Sequence, residues 1–315
     1  MTKQENIPLA LVGIGKIAHD QHLPSIARNP DFSLAATVSR NNSVEGVISF
    51  STLTALLNSE STISAVALCT PPHVRFEMAW QALSAGKHVL LEKPPGATLS
   101  EVQSLHDLAL KNGLTLYATW HARHAAAVDA ARAWLSNQHI EAMRIVWKED
   151  VRRWHPGQDW IWQAGNLGVF DPGINALSIM THILPHAVHL TSADLEFPSN
   201  CQTPIAAKLE FATPSGAAIS AEFDWRHTGH QTWDIIIETD NGMMKLSDGG
   251  SHMQVGGGPA QHGKDREYET IYRNFAALIT ANKCDVDLAP LRHVADAFLL
   301  GKRRMTDPFT DTSPS

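Results

Sequence analysis

The chain has 315 residues, a net charge of −7, 43% hydrophobic and 18% charged residues. That length is enough for two cores, and the acidic balance argues against a nucleic-acid partner, which would call for a basic surface. No run of about 18 apolar residues provides a membrane span, and "MTKQENIPLALVGIG" lacks the basic-then-apolar make-up of a secretory leader, so a cytoplasmic globular protein with a small-molecule partner is expected.

The first apolar run, Leu9 to Val12, ends in Gly13-Ile14-Gly15-Lys16-Ile17-Ala18. Strand, glycine turn and helix in this order make a dinucleotide cradle. Gly13 gives the tight turn, Gly15 lets backbone approach a pyrophosphate, and Ala18 lets the helix pack close to the strand. A second strand, Leu34 to Val38, ends in Ser39-Arg40, about 24 residues past Gly15. An acid there would take a ribose 2′-hydroxyl. An arginine grips a 2′-phosphate instead, so NADP is expected ahead of NAD.

A third strand in "ISAVALCTPP" stops at Thr70-Pro71-Pro72-His73, and the helix after it ends near Gly86. "HVLLEKPPG" is a strand that turns at Glu92-Lys93. The next helix has Ser100 as its candidate cap, and "LTLYATWHARH" is a strand ending at Trp120-His121. Strands alternating with helices predict an α/β fold, a Rossmann-like doubly wound parallel sheet over residues 1–122. Ligands gather at the carboxyl ends of such strands, here Gly13, Ser39, Thr70, Glu92-Lys93 and His121.

Residues 123–315 change character. A helix in "AAAVDAARAWLSN" leads to "AMRIVWKED", where Met143, Ile145, Trp147 and Glu149 share one face. An acid ending an apolar face needs a polar partner. "SGAAISAEFDWRH" alternates as well, and Asp240-Asn241-Gly242 is a hairpin signal. These strands predict an α+β domain with a mostly antiparallel open sheet, whose free face offers a route to a homo-oligomer. "DLAPLRHVADAFLLGKR" closes the fold as a helix, and the tail "TDPFTDTSPS" is read as mobile.

In "GNLGVFDPGINALSIM" Pro172 predicts a first helical position and Asp171 the cap before it, with Asn175 one turn further on. Trp80, Trp134 and Trp147 are read as core. The histidine pairs 19/22, 121/124 and 182/186 lack zinc-site spacing and are read as surface or packing residues with no metal. Cys69, Cys201 and Cys284 are read as free thiols.

Gly13-x-Gly15-x-x-Ala18, Thr70-Pro71-Pro72-His73 and Glu92-Lys93-Pro94, followed by "VWKEDVRRWHPGQDWIW" and "GVFDPGIN", resemble the Gfo/Idh/MocA oxidoreductase family over nearly the whole chain. Within it they resemble the bacterial branch that oxidises aldoses such as L-arabinose and D-galactose at C1. The resemblance implies NAD(P)-dependent hydride transfer from an aldopyranose, giving the aldonolactone. It implies cofactor contacts from Gly13, Ile14, Gly15, Lys16, Ile17, Ser39, Arg40, Thr70, Pro71, His73, Glu92 and Lys93. Where the family often carries Asp-x-x-x-His, this chain has Asp171 and Asn175, as that branch does. Lys93 would stabilise the developing oxyanion, Asp171 take the hydroxyl proton and Asn175 hold the hydroxyl, or a neutral Lys93 takes the proton itself. Either scheme asks that Lys93 and Asp171 reach one oxygen atom. A helix N-terminus and a lysine pull the pKa of Asp171 down while burial pushes it up. His121, Glu149, Trp154 and Trp233 would join Lys93, Asp171 and Asn175 in holding the monosaccharide. The rival readings are a family member acting on a cyclitol or glucose, and a non-catalytic NADP-binding sensor.

Overall fold

Short apolar runs at the start of the chain pair as β1 (Ile7–Val12), β2 (Phe32–Val38), β3 (Ile48–Phe50), β4 (Ala65–Leu68), β5 (His88–Leu91) and β6 (Leu116–Ala118). All pairings are parallel, in the order β3-β2-β1-β4-β5-β6. The order reverses between β1 and β4, and a doubly wound sheet binds its ligand at such a switch point. The computed structural model describes residues 6–59 and 62–311. The first residues of the N-terminal reading and the last four of the tail lie outside the described residues.

A strand's side chains alternate between faces, so both faces of this sheet need cover. The helices are α1 (Leu23–Arg28), α2 (Leu53–Leu57), α3 (Pro72–Ser84) and α4 (Leu99–Lys111). Thr98 rather than Ser100 caps α4, because Thr98 and Glu101 close a reciprocal capping box. Ala10, Val12, Val66, Leu68, Val89 and Leu91 pack with Leu53, Leu83 and Leu105 of α2, α3 and α4. On the other face, Leu9, Leu11, Ala65, Ala67 and Leu90 pack with Ile26 of α1. That short helix cannot cover the face alone. Ile271, Tyr272 and Phe275 of a late helix, Glu267–Ala281, complete it. The following segment runs along β6, where Asp285 pairs with Tyr117 and the indole of Trp120 donates to the Asp287 carbonyl at 2.9 Å.

The chain accordingly divides into one unit of Met1–His121 with Arg266–Leu288 and a second of Ala122–Asp265 with Ala289–Ser315. A single cut at 122/123 would give residues 266–288 to the second unit. They go with the first because their apolar helix face closes its sheet.

The second unit is built on β7 (Ile140–Lys148), β8 (His189–Pro198), β9 (Ala206–Ala212), β10 (Ala218–Asp224), β11 (Thr232–Thr239), β12 (Gly242–Ser247), β13 (His252–Val255), β14 (Gln261–His262) and β15 (Lys302–Thr306). They form one sheet in the order β14-β13-β12-β11-β7-β10-β9-β8-β15, antiparallel except for β7/β10 and β8/β15. The alternation in β7 holds: Met143, Ile145, Trp147 and Glu149 are all buried. The opposite face is charged, with Lys148 paired to Glu222 at 2.9 Å and Lys245 to Asp234 at 2.8 Å. This unit's helices are α5 (Val128–Leu135), α6 (Val151–Trp154), α7 (Phe170–Ile183) and α9 (Ala289–Leu300), α8 being Glu267–Ala281 of the first unit. Gly173 lets α7 lie close to the sheet, since a Cβ there would come within 2.9 Å of the Phe223 ring. Trp147 is core as expected, but Trp80 is 40% exposed, on the outer side of α3. The tail up to Asp311 is anchored: Phe309 packs on Trp162 and its N–H donates to Asn200 at 2.9 Å.

Candidate active site

In the first unit the glycine turn follows β1. Gly13 has φ +88°, and a Cβ there would lie 3.0 Å from the Cys69 carbonyl carbon, so only glycine fits between the ends of β1 and β4. Gly15 is the contrary case. A Cβ there would meet nothing within 4 Å, leaving open space above the backbone where a pyrophosphate would sit. A helix begins directly at Lys16 and runs on into α1, so its free N–H groups lie at that space. These features fit a dinucleotide.

The turn after β2 is tied to the glycine loop by Asn42, whose amide donates to the Ile14 carbonyl at 2.7 Å and whose N–H donates to Ser39 Oγ at 3.2 Å. Arg40 in that turn is exposed, and among the described residues nothing holds its guanidinium. Thr70, Pro71 and His73 lead into α3, with Pro71 at its cap position.

The Glu92-Lys93-Pro94 turn rests on a buried scaffold. Arg75, 2% exposed, donates to the carbonyls of Thr70, Glu92 and Pro94, clamping the turn from both sides of Lys93. Glu92, 4% exposed, accepts from Tyr268 at 2.8 Å and from His22 at 3.0 Å on Oε1, and from the Lys93 N–H at 2.9 Å on Oε2. His22 Nδ1 meets the Tyr272 hydroxyl at 2.7 Å. Burial raises the pKa of Glu92, yet the His22 hydrogen bond and charge outweigh it and bring it to about 2. Burial likewise opposes a charge on His22, but Cys69, Tyr272 and Glu92 raise its pKa well above the ordinary imidazole value. Burial pushes Tyr272 up to about 12, so it stays neutral, and the Glu92 anion supplies the attraction. His121 stacks on Tyr268 and faces Glu267 at 2.6 Å. Burial disfavours its cation, but Glu267 and Glu92 prevail and raise its pKa, with Lys93 opposing.

In the second unit α7 starts before Asp171. Gly168 has φ +56° and a Cβ on it would strike the Pro204 carbonyl, which fixes a turn and starts the helix at Phe170 with Val169 as its cap. Asp171 therefore lies in the first turn and is not the cap. Through the first two turns only Asp171 and Asn175 escape full burial, and their spacing puts them on one face. The Asp171 carboxylate lies 3.4 Å from His155 Nε2.

Glu149 directly follows β7 and lies inside an indole cluster. Trp225 donates to Oε1 at 3.2 Å and Trp233 to Oε2 at 2.7 Å. Trp233 is stacked on Trp147 with ring centroids 5.8 Å apart, and Trp154 tilts against it at 5.4 Å. The carboxylate thus fixes the indole platform, a role beyond the direct sugar contact expected of it. The Trp154 Nε1 is buried with no hydrogen-bond partner among the described residues.

The structure thus gathers Gly13, Ile14, Gly15, Ser39, Thr70, Glu92, Lys93 and His121 at the strand ends of the first unit, and Glu149, Trp154, Asp171, Asn175 and Trp233 in the second. Sequence reasoning passed over Arg75, His22, Tyr268, Asn42 and His155. Only the position of Arg75 five residues past Thr70 and the His22 pair gave any signal. Among the described residues no group of three or more His, Cys, Asp or Glu forms a metal cluster, and no helix is long and apolar enough to cross a membrane.

Residues 7–119 match the model of an oxidoreductase family with an NAD-binding Rossmann fold, Gfo/Idh/MocA. Galactose 1-dehydrogenase of Pseudomonas fluorescens is 44% identical over 97% of this chain and 99% of its own length. The crystal structure of a D-galactose-1-dehydrogenase protein from Rhizobium etli has 57% identity and a TM-score of 0.93, covering 98% of this chain and 100% of that one. A 3-ketoreductase from Actinomadura kijaniata, in complex with NADP and TDP-benzene, has a TM-score of 0.83 at 19% identity over 96% of this chain and 100% of its own. That last likeness is one of fold.

Proposed function

The chain belongs to the Gfo/Idh/MocA oxidoreductase family, and on that premise we propose that it oxidises D-galactose and L-arabinose at C1 to the aldonolactone, with NADP ahead of NAD. The observation that carries this reading is the end-to-end likeness to galactose 1-dehydrogenases, 44% identity over 97% of the chain. A second support is the acid Asp171 in the first turn of α7, on the same helix face as Asn175. The nicotinamide, when bound, supplies the hydride acceptor.

The rest falls to this chain's own residues. Gly13 and Gly15 receive the pyrophosphate, and Arg40 with Ser39 takes the 2′-phosphate. Lys93 offers its ammonium to the oxygen on which charge develops as the C1–H bond gives up its hydride. Asp171 accepts the hydroxyl proton while Asn175 holds that hydroxyl in line, and the C1–O bond becomes the lactone carbonyl. His155, at 3.4 Å, is placed to share the proton that Asp171 takes. Trp154 and Trp233 offer indole faces to the C–H side of the ring. L-Arabinose and D-galactose share the ring stereochemistry and differ at the exocyclic carbon, so a site that reads ring hydroxyls accepts both.

The test is a panel of aldoses and cyclitols followed by reduced-nicotinamide absorbance, repeated with Asp171→Ala. Turnover on galactose and arabinose is expected, and the variant should lose about three orders of magnitude in kcat while still binding nucleotide. No turnover on any sugar, or a variant of near-normal activity, overturns the reading.

A further inference from the structure

The His22–Glu92 pair has no part in the chemistry above, yet it is a buried ion pair directly beneath Lys93. From the first helix His22 reaches Glu92 Oε1. From α8 come Tyr268, donating to the same oxygen, and Tyr272, on the far nitrogen of His22. Cys69 at the end of β4 lies against His22, and His121 and Lys93 act on the cluster by charge. The other oxygen of Glu92 takes the Lys93 N–H.

The helix segment that carries His22, Ala18–His22, is a π-turn. A π-turn inserts an extra residue into the helix and is most common at functional sites. Here the segment ends on a ring that is 0% exposed. A buried ion pair is weak evidence for stability, since apolar residues of the same shape often do as well. Its place against the Lys93 turn asks for another explanation.

We propose that His22 is a positioning residue: acting through Glu92, it fixes the Lys93 turn and so sets where the Lys93 side chain stands. An imidazolium donates from both nitrogens, so Tyr272 and Glu92 lock its orientation. Glu92 is then held ionised, with one oxygen for His22 and Tyr268 and the other for the Lys93 backbone. Loss of the His22 charge lets burial protonate Glu92. The Lys93 N–H then faces a weaker acceptor, and the turn is held less firmly.

The proposal rests on the reading of Lys93 as a reacting-site residue, so the experiment separates the two. Glu92→Gln keeps the shape and removes the charge. Tyr268→Phe removes one donor and is the milder change. His22→Gln keeps a single donor where His22→Leu keeps none. Expected are a fall in kcat of about ten-fold or more for Glu92→Gln and His22→Leu, a smaller one for Tyr268→Phe, and partial recovery in His22→Gln. In His22→Leu, His22→Gln and Tyr268→Phe the sugar KM and nucleotide Kd should stay within about two-fold. The Lys93 backbone amide, followed by NMR in [15N]lysine-labelled enzyme and assigned with Lys93→Met, should change its chemical shift in Glu92→Gln and His22→Leu and return part of the way in His22→Gln, and this needs no turnover. Unchanged kcat per folded molecule and an unmoved amide resonance, with only the melting temperature lowered, would reduce the pair to a structural one and overturn the proposal. Should Glu92→Gln fail to fold, Tyr268→Phe carries the same test. If Lys93→Met itself turns over normally, the reading of Lys93 fails, while the amide resonance still decides the positioning.

Discussion

Glu92 in the first unit and Glu149 in the second are equally hidden, 4% and 3% exposed, yet their hydrogen-bond partners are of different kinds. Glu92 sits among groups that titrate: His22, Tyr268, Tyr272 and His121. Glu149 accepts on both oxygens from indole N–H groups, which do not titrate. A buried carboxylate needs either a counter-charge or oriented donors. The first solution surrounds the Glu92-Lys93 turn with groups whose charge depends on pH. The second fixes the angle of aromatic rings.

The contrast is broken most severely at Glu149. Glu149→Leu leaves two indole N–H groups unpaired and should cost on the order of 2–4 kcal/mol in urea unfolding, with sugar affinity lost and nucleotide affinity kept. Glu149→Gln, which keeps one acceptor, should cost about half of that. Equal losses in the two variants would mean that packing, and not the acceptors, holds the indoles.

A pH series sharpens the comparison. The pKa of Glu92 is depressed, so its contribution is present above the ordinary value of 4.5 and is lost as pH falls from there toward about 2. That of His22 is raised, so its contribution is complete below the ordinary 6.5 and is lost as pH rises through the elevated value. The melting temperature of the wild type should fall at both ends. Glu92→Gln should flatten the acid limb between pH 5 and 3, whereas Glu149 variants leave the alkaline limb, which follows His22, unchanged. Parallel acid limbs in wild type and Glu92→Gln would contradict the assigned ionic partnership.

The smallest expected effect concerns an exposed group with no buried partner. Arg40→Ala should raise the KM for NADP roughly ten-fold and change that for NAD by less than about two-fold, with no change in stability. An equal loss for both nucleotides would remove the phosphate grip.

Local signals were the legible ones. The glycine turn, the alternation of β7 and the face shared by Asp171 and Asn175 follow from spacing alone. Non-local contributions were not. His22 belongs to a histidine pair with no spacing that marks it, and it matters because of Tyr272, 250 residues later. The cap expected at Asp171 gave way to a turn set by contact of Gly168 with Pro204, a residue of another segment. The tail, polar in composition, is held by one aromatic residue, Phe309, on Trp162.

The return of residues 266–288 to the first sheet has a consequence for biosynthesis. On a translating ribosome the strands of the first unit lack the helix that covers Leu9, Leu11 and Leu90 until residues 122–265 have been made. The second unit waits as well, since its α9 and β15 follow residue 288 in the chain. A gene fragment stopping at codon 122 should yield an insoluble product with one bare apolar face, whereas joining residues 266–288 to it through a short linker should restore a soluble, nucleotide-binding domain.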